Sequence, residues 1–174
     1  MTDTNRLNAL EVALNNELKE REFYLKNAER TANPLGQAMF RQIADDELEH
    51  YQRLKELHEK WSRDERWPDT LPLSVQGTRI KDTLESVIRD VADMPPGDDD
   101  DLAALRVAIE FESKGEAFYR ALRDQAEEAG IKSFFDLLAG IEREHYLALT
   151  KAEEFLLDPA AYYTATERPG LDGA

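Results

Sequence analysis

The chain contains three histidines, and two of them close the same four-residue pattern, Glu47-Leu48-Glu49-His50 and Glu142-Arg143-Glu144-His145. Glutamate and histidine at i and i+3 share one face of a helix, so a single metal ion can meet both side chains. Thirty residues before each leading glutamate stands another, Glu17 and Glu112. Glu17 is followed by Phe23-Tyr24 and Glu112 by Phe118-Tyr119, and a further tyrosine, Tyr51 or Tyr146, comes directly after each histidine. Every one of these positions recurs at an offset of 95 residues, from 17 to 112 and from 47 to 142. One such pattern is weak evidence, because glutamate fills 21 of the 174 positions and a surface ion-pair ladder would produce it. Two in register, with matching partners, mark an internal duplication.

The chemistry follows from the residue types. Four carboxylates and two imidazoles brought to one buried level need neutralising, and two divalent cations balance four glutamates beside neutral histidines. An oxygen and nitrogen donor set without thiolate suits iron or manganese, and zinc less well as a pair. The candidate ligands are Glu17, Glu47, His50, Glu112, Glu142 and His145. Tyr24 and Tyr119, seven residues after Glu17 and Glu112, lie two turns on along the same helical face.

Helices must position these groups. Apolar residues recur at helical spacing in four long stretches. The first carries Leu7, Leu10, Leu14, Leu18, Leu25 and Ala28 and ends near Asn33-Pro34. The second runs from Pro34 through Met39, Ile43, Leu54 and Leu57 to Trp61. The third follows Pro95-Pro96-Gly97, opens on Asp98 to Asp101, and keeps its period through Leu102, Leu105, Ile109 and Phe118 until Gly130. Four aspartates at a helix start read as capping of the macrodipole in preference to a metal site. The fourth spans Ile131 to Leu157 and stops at Asp158-Pro159, beyond which a tail (159–174) with little periodicity is expected to be extended or poorly ordered.

Glu17 and Glu47 stand at equal distances from a turn near residue 32, and Glu112 and Glu142 from one near residue 127. Antiparallel hairpins therefore bring each pair to one height. Between the hairpins (5–61 and 98–157) lies a crossover, residues 62–97, which holds four of the seven prolines and an amphipathic stretch at 79–92. A helix of about 28 residues is roughly 42 Å long. A crossover running that length makes the second and third long helices parallel. The expected fold is all-α: a four-helix bundle of two pseudo-symmetric hairpins within residues 1–158, joined by a crossover containing a short helix.

Composition narrows the alternatives. The chain is 41% hydrophobic and 34% charged, with a formal net charge of −15 and no cysteine. Without cysteine these residues form no disulfide framework, zinc ribbon, iron–sulfur cluster or thiol nucleophile. The negative charge disfavours nucleic acid and anionic lipid as partners. There is no glycine-rich phosphate loop, and neither histidine has a serine or cysteine partner in a recognisable motif. No secretory signal is read at the N-terminus, and a cytoplasmic location is expected. His58 breaks the repeat, since Glu153 stands 95 residues on, and reads as a surface residue; Trp61 and Trp67 read as pins for the crossover, and Phe23, Phe40, Phe118, Phe134 and Phe135 as core.

On the six ligand positions the chain resembles a rubrerythrin-type member of the ferritin-like superfamily, across about residues 5–157. The resemblance implies that Glu47 and Glu142 bridge two irons, with Glu17 and Glu112 as terminal ligands and His50 and His145 each completing one iron. It implies that Tyr24 and Tyr119 hydrogen-bond the carboxylates. The family's better-known members reduce hydrogen peroxide, and relatives oxidise or store iron. Two departures stand out. Rubrerythrins proper carry a four-cysteine rubredoxin domain, so here the resemblance implies an external donor such as a rubredoxin-like protein. The family's peroxidases also carry an extra carboxylate three residues after the third helix's glutamate, where this chain has Gly115. Glu20 holds the repeat-related position and becomes the candidate extra ligand on the iron beside His145. A homodimer is implied by resemblance alone. Three functions are carried forward: reduction of peroxide or O2 at a di-iron centre, ferroxidase or iron storage, and a non-enzymatic module stapled by its metal.

Overall fold

The computed structural model describes residues 3–63, 74–90 and 97–166. Every regular element among them is helical: α1 (Asp3–Arg30), α2 (Pro34–Ser62), α3 (Ile80–Asp90), α4 (Asp99–Gln125), α5 (Ala129–Leu157) and α6 (Pro159–Thr166). Three residues separate α1 from α2 and three separate α4 from α5, so each pair folds back on itself as a hairpin.

Local chemistry sets these turns. Asn33 has an extended backbone, and its side-chain oxygen accepts from the N–H groups of Leu35 at 3.0 Å and Gly36 at 3.1 Å. Pro34 follows at the first helical position, where its missing N–H leaves nothing unpaired. Asp98 caps α4 by accepting from Asp101 N–H at 2.7 Å, and Arg30 at the end of α1 donates to Asp101 at 3.3 Å. The acidic run is thus a cap and a tie between hairpins.

Two expectations need correction. The third long helix does not continue to Gly130; α4 ends at Gln125, and Gly130 lies in the first turn of α5. Inward apolar positions jump five residues there, from Ala126 to Ile131, which loses the helical phase and lets the chain reverse near residue 127. The tail is not wholly extended either. Asp158 accepts from Ala161 N–H at 2.9 Å, so Asp158-Pro159 starts α6 as well as ending α5. Tyr162 then packs edge-on against Phe155, with ring centroids 5.3 Å apart.

The interior is divided into two apolar clusters. One gathers Tyr24, Phe40, Ile43, Leu105, Leu149 and Phe155, the other Leu10, Leu54, Tyr119, Phe134, Phe135 and Leu138. Each long helix passes from one cluster to the other, and the change comes at its candidate ligands. α2 and α4 both begin in the first cluster and end in the second, whereas α1 and α5 run the other way. α2 and α4 are therefore parallel, as a full-length crossover requires. α3 lies against α2 and α5 of its own bundle, with Ile80 and Leu84 buried in the first cluster. Trp61 packs at the edge of the second cluster, and Trp67 lies outside the described residues.

Replacing Asn33 with alanine removes both cap bonds of α2 and is expected to destabilise the protein by about 1–2 kcal/mol in urea unfolding.

Candidate metal centre

The four long helices each contribute at mid-length. Glu17 comes from α1, Glu47 and His50 from α2, Glu112 from α4, and Glu142 and His145 from α5. All six side chains are at most 1% exposed. Their ligand atoms form two overlapping groups, Glu17–Glu47–His50–Glu142 and Glu47–Glu112–Glu142–His145, each with atoms within 4.8 Å of one another. Glu47 and Glu142 belong to both. His50 Nδ1 stands 3.3 Å from Glu17, 3.1 Å from Glu47 and 3.4 Å from Glu142. His145 Nδ1 stands 3.3 Å from Glu112 and 3.6 Å from Glu47. The two imidazole rings lie nearly parallel, 6.3 Å apart.

Partners outside the six hold them in place. The Tyr24 hydroxyl donates to Glu112 and the Tyr119 hydroxyl donates to Glu17, so each tyrosine reaches across to the opposite hairpin. His145 Nε2 faces Asp46 Oδ2 at 2.9 Å, and Thr78 donates to the same oxygen at 2.6 Å. Sequence reasoning missed both residues. Asp46 escaped because its repeat-related position is Ile141, so the symmetry that revealed the other groups hides it. Thr78 comes from the crossover, which has no counterpart in the repeat.

The electrostatics describe a site prepared for cations. Burial pushes Glu17 above the ordinary carboxylate value. Glu47 and Glu142 rise well above it, through burial first and then through neighbouring carboxylates. Glu112 is held below that value, because His145 and its hydrogen-bond partners outweigh the cost of burial. Burial disfavours charged imidazoles, yet Glu47 beside His50 and Glu112 beside His145 outweigh it and push both well upward. Protons thus take the place of positive charge. Even so, Glu17 Oε2, Glu47 Oε1 and both oxygens of Glu142 are buried with no hydrogen-bond partner. Orphaned carboxylate oxygens at 0–1% exposure are costly. They are the atoms that a pair of metal ions would satisfy, and the donor set fits it.

The rubrerythrin family model matches residues 8–94, which is half of the chain and spans α1, α2 and α3. The chain belongs to the rubrerythrin family. Its second hairpin lies outside the matched residues but repeats the first at the offset of 95. None of the curated proteins matches it. Among solved structures, a hypothetical protein from Pyrococcus furiosus is similar with a TM-score of 0.58 at 23% identity, covering 85% of this chain and 87% of that one. That likeness, with the family match, shows an all-α ferritin-like bundle.

Glu20 and His58 of this rubrerythrin-family chain lie apart from the six. Glu20 belongs to neither ligand group; it lines a cavity between α1 and α4 together with Glu17 and Gly115. Burial, then the charges of Glu47 and Glu112, push its carboxyl from 4.5 to about 8. His58 is half-buried away from the centre, 3.6 Å from Glu11.

A pH signature follows. Glu17, Glu47, Glu142, Glu20, His50 and His145 hold protons more tightly in the folded metal-free chain than in the unfolded one. Such groups stabilise fully below their unfolded values and lose that contribution as pH rises through the folded ones; for Glu20 the window is 4.5 to about 8. Metal-free protein should therefore weaken as pH rises across it. Divalent cations displace the protons, so loaded protein should strengthen over the same range. Urea unfolding at stepped pH, with and without metal, checks this, and parallel slopes would contradict it. Asp46→Asn should lower metal affinity about 10–100-fold, measured by competition with a chromophoric chelator.

Proposed function

We propose that the chain holds two iron ions and reduces hydrogen peroxide, or O2, with electrons from an external donor. The observation that carries this reading is the sharing of Glu47 and Glu142 between two complete ligand groups. Glu17, Glu47, His50 and Glu142 would hold one ion, and Glu47, Glu112, Glu142 and His145 the other. Manganese or zinc fits the same donors, and the thiolate-free set favours iron or manganese. An iron pair supplies one electron from each metal, the two that cleavage of an O–O bond consumes.

The chain's own residues supply the rest. Tyr24 and Tyr119 fix the orientation of Glu112 and Glu17. Burial, followed by the charge of Glu112, holds the Tyr24 hydroxyl protonated far above neutral pH, so it stays a donor. Asp46 accepts from His145 Nε2–H and fixes which ring nitrogen faces the centre. Glu20 holds a proton at neutral pH while the centre is metal-free, and cations that neutralise Glu47 and Glu112 favour its release. Deprotonated, Glu20 is the candidate extra ligand opposite Gly115. The two apolar clusters seal the centre from both ends of the bundle. These 174 residues hold no cysteine, and the reading assigns the electrons to a donor of the rubredoxin kind outside them. We read the working unit as residues 1–158, acting as a cytoplasmic homodimer.

The test begins with metal analysis of protein loaded under anaerobic conditions, where about two irons per chain are expected. Stopped-flow mixing should then show fast oxidation by peroxide and slower oxidation by O2. Turnover of many irons per chain in a large oligomer would instead establish ferroxidase or storage, for which the charge of −15 is suited. Inertness toward both oxidants would leave a structural metal. Glu142→Ala should reduce occupancy of both positions, whereas Glu17→Ala should weaken one, readable as a stoichiometry between about one and two.

A further inference from the structure

The duplication breaks behind one of the two histidines. Asp46 Oδ2 stands 2.9 Å from His145 Nε2, and Gln42, one turn earlier on α2, donates to Asp46 Oδ1 at 3.0 Å. At the offset of 95 these two residues become Leu137 and Ile141. Ile141 is buried and packs in the second apolar cluster. α2 therefore sets a carboxylate behind the imidazole that α5 carries, and α5 has a hydrocarbon side chain at the related place.

Thr78, from the crossover, completes the difference. A threonine hydroxyl has one hydrogen to give. That hydrogen goes to Asp46 Oδ2 at 2.6 Å, so the Thr78 oxygen meets its other neighbours as an acceptor. One is the N–H of Ile80, the first residue of α3, at 3.1 Å. The other is His145 Nε2, at 3.2 Å. Both groups facing Nε2 are then acceptors, and Nε2 must carry a hydrogen. In the neutral ring this leaves the lone pair on His145 Nδ1, which faces Glu47 and Glu112. A carboxylate bonded to the far N–H of a metal-binding imidazole raises its basicity and fixes the ring, an effect worth about 10–100-fold in affinity.

We infer that the two metal positions are unequal. Thr78, acting through Asp46, makes the position of Glu47, Glu112, Glu142 and His145 the one that loads first. The position completed by Glu17 and His50 fills second and empties first. Thr78 touches no ligand atom that faces the centre; it is a positioning residue. The inference rests on the reading of the site as a dinuclear metal centre and ranks its two halves.

Co(II) binding to metal-free protein, followed by competition with a chromophoric chelator, tests the order. His50→Ala should leave the first cobalt bound as tightly as in the unaltered protein, whereas His145→Ala should weaken it about 10–100-fold. Thr78→Val keeps the side-chain shape but loses the hydroxyl; it should weaken the first cobalt about tenfold, and Thr78→Ser should restore it. In the His145→Ala background Thr78→Val should change cobalt affinity less than about twofold, because the imidazole it serves is gone. Equal weakening by the two histidine variants would overturn the order. A loss from Thr78→Val that persists beside His145→Ala would also overturn it, leaving the threonine only a cap of α3. If Thr78→Val fails to fold, Asp46→Asn takes its place in both backgrounds and is judged the same way. Unaltered protein that takes up no cobalt would instead overturn the metal-centre reading itself.

Discussion

Six ionisable side chains meet at the middle of this bundle, and nothing else in the fold makes sense without them. Four carboxylates and two imidazoles at 0–1% exposure carry a desolvation cost that neither packing nor surface charge can offset. The structure answers with neighbours. Tyrosines from each hairpin donate to glutamates of the other, Asp46 backs one histidine, and protons occupy several groups where cations would sit. The apolar clusters at either end shield the layer from water, which strengthens every interaction inside it. Caps such as Asn33 and Asp98 fix where each helix starts, and so the height at which its ligands arrive.

Duplication gives the site its outline, and departures from duplication give it direction. Glu17 and Glu112, Glu47 and Glu142, His50 and His145, and Tyr24 and Tyr119 are equivalent by sequence. Asp46 faces His145, while Ile141 occupies the related place in the second hairpin. Glu20 in α1 is answered by Gly115 in α4, where the Glu142 carboxylate packs close against the backbone in place of a side chain. The two halves are therefore alike in ligands and unlike in surroundings.

Much of this was legible in the sequence for a physical reason: periodicity and spacing encode which residues share a face and a height. Glu-x-x-His twice, with a glutamate 30 residues earlier each time, sufficed to place six groups together. Pairings that depend on the third dimension were not legible. Asp46 reaches His145 across 99 residues, and Thr78 reaches Asp46 from a crossover without periodicity. The end of α4 and the start of α6 were misread because both turn on local competition. Apolar phase is lost after Ala126, and Asp158 serves as terminator and cap together. Gly115 could be recognised as a departure, but its closeness to the Glu142 carboxylate required coordinates.

The division of the interior into two apolar clusters has a consequence for specificity of folding. A bundle packed only with leucine and phenylalanine tolerates helices that slide past one another, since one apolar contact replaces another. Here a slip of one turn would carry a carboxylate about 5.4 Å along the axis, out of its polar layer and into hydrocarbon. Each long helix has such a residue at the point where it changes clusters. The layer therefore acts as a key cut at one height in all four helices, and it aligns them whether or not a metal is bound.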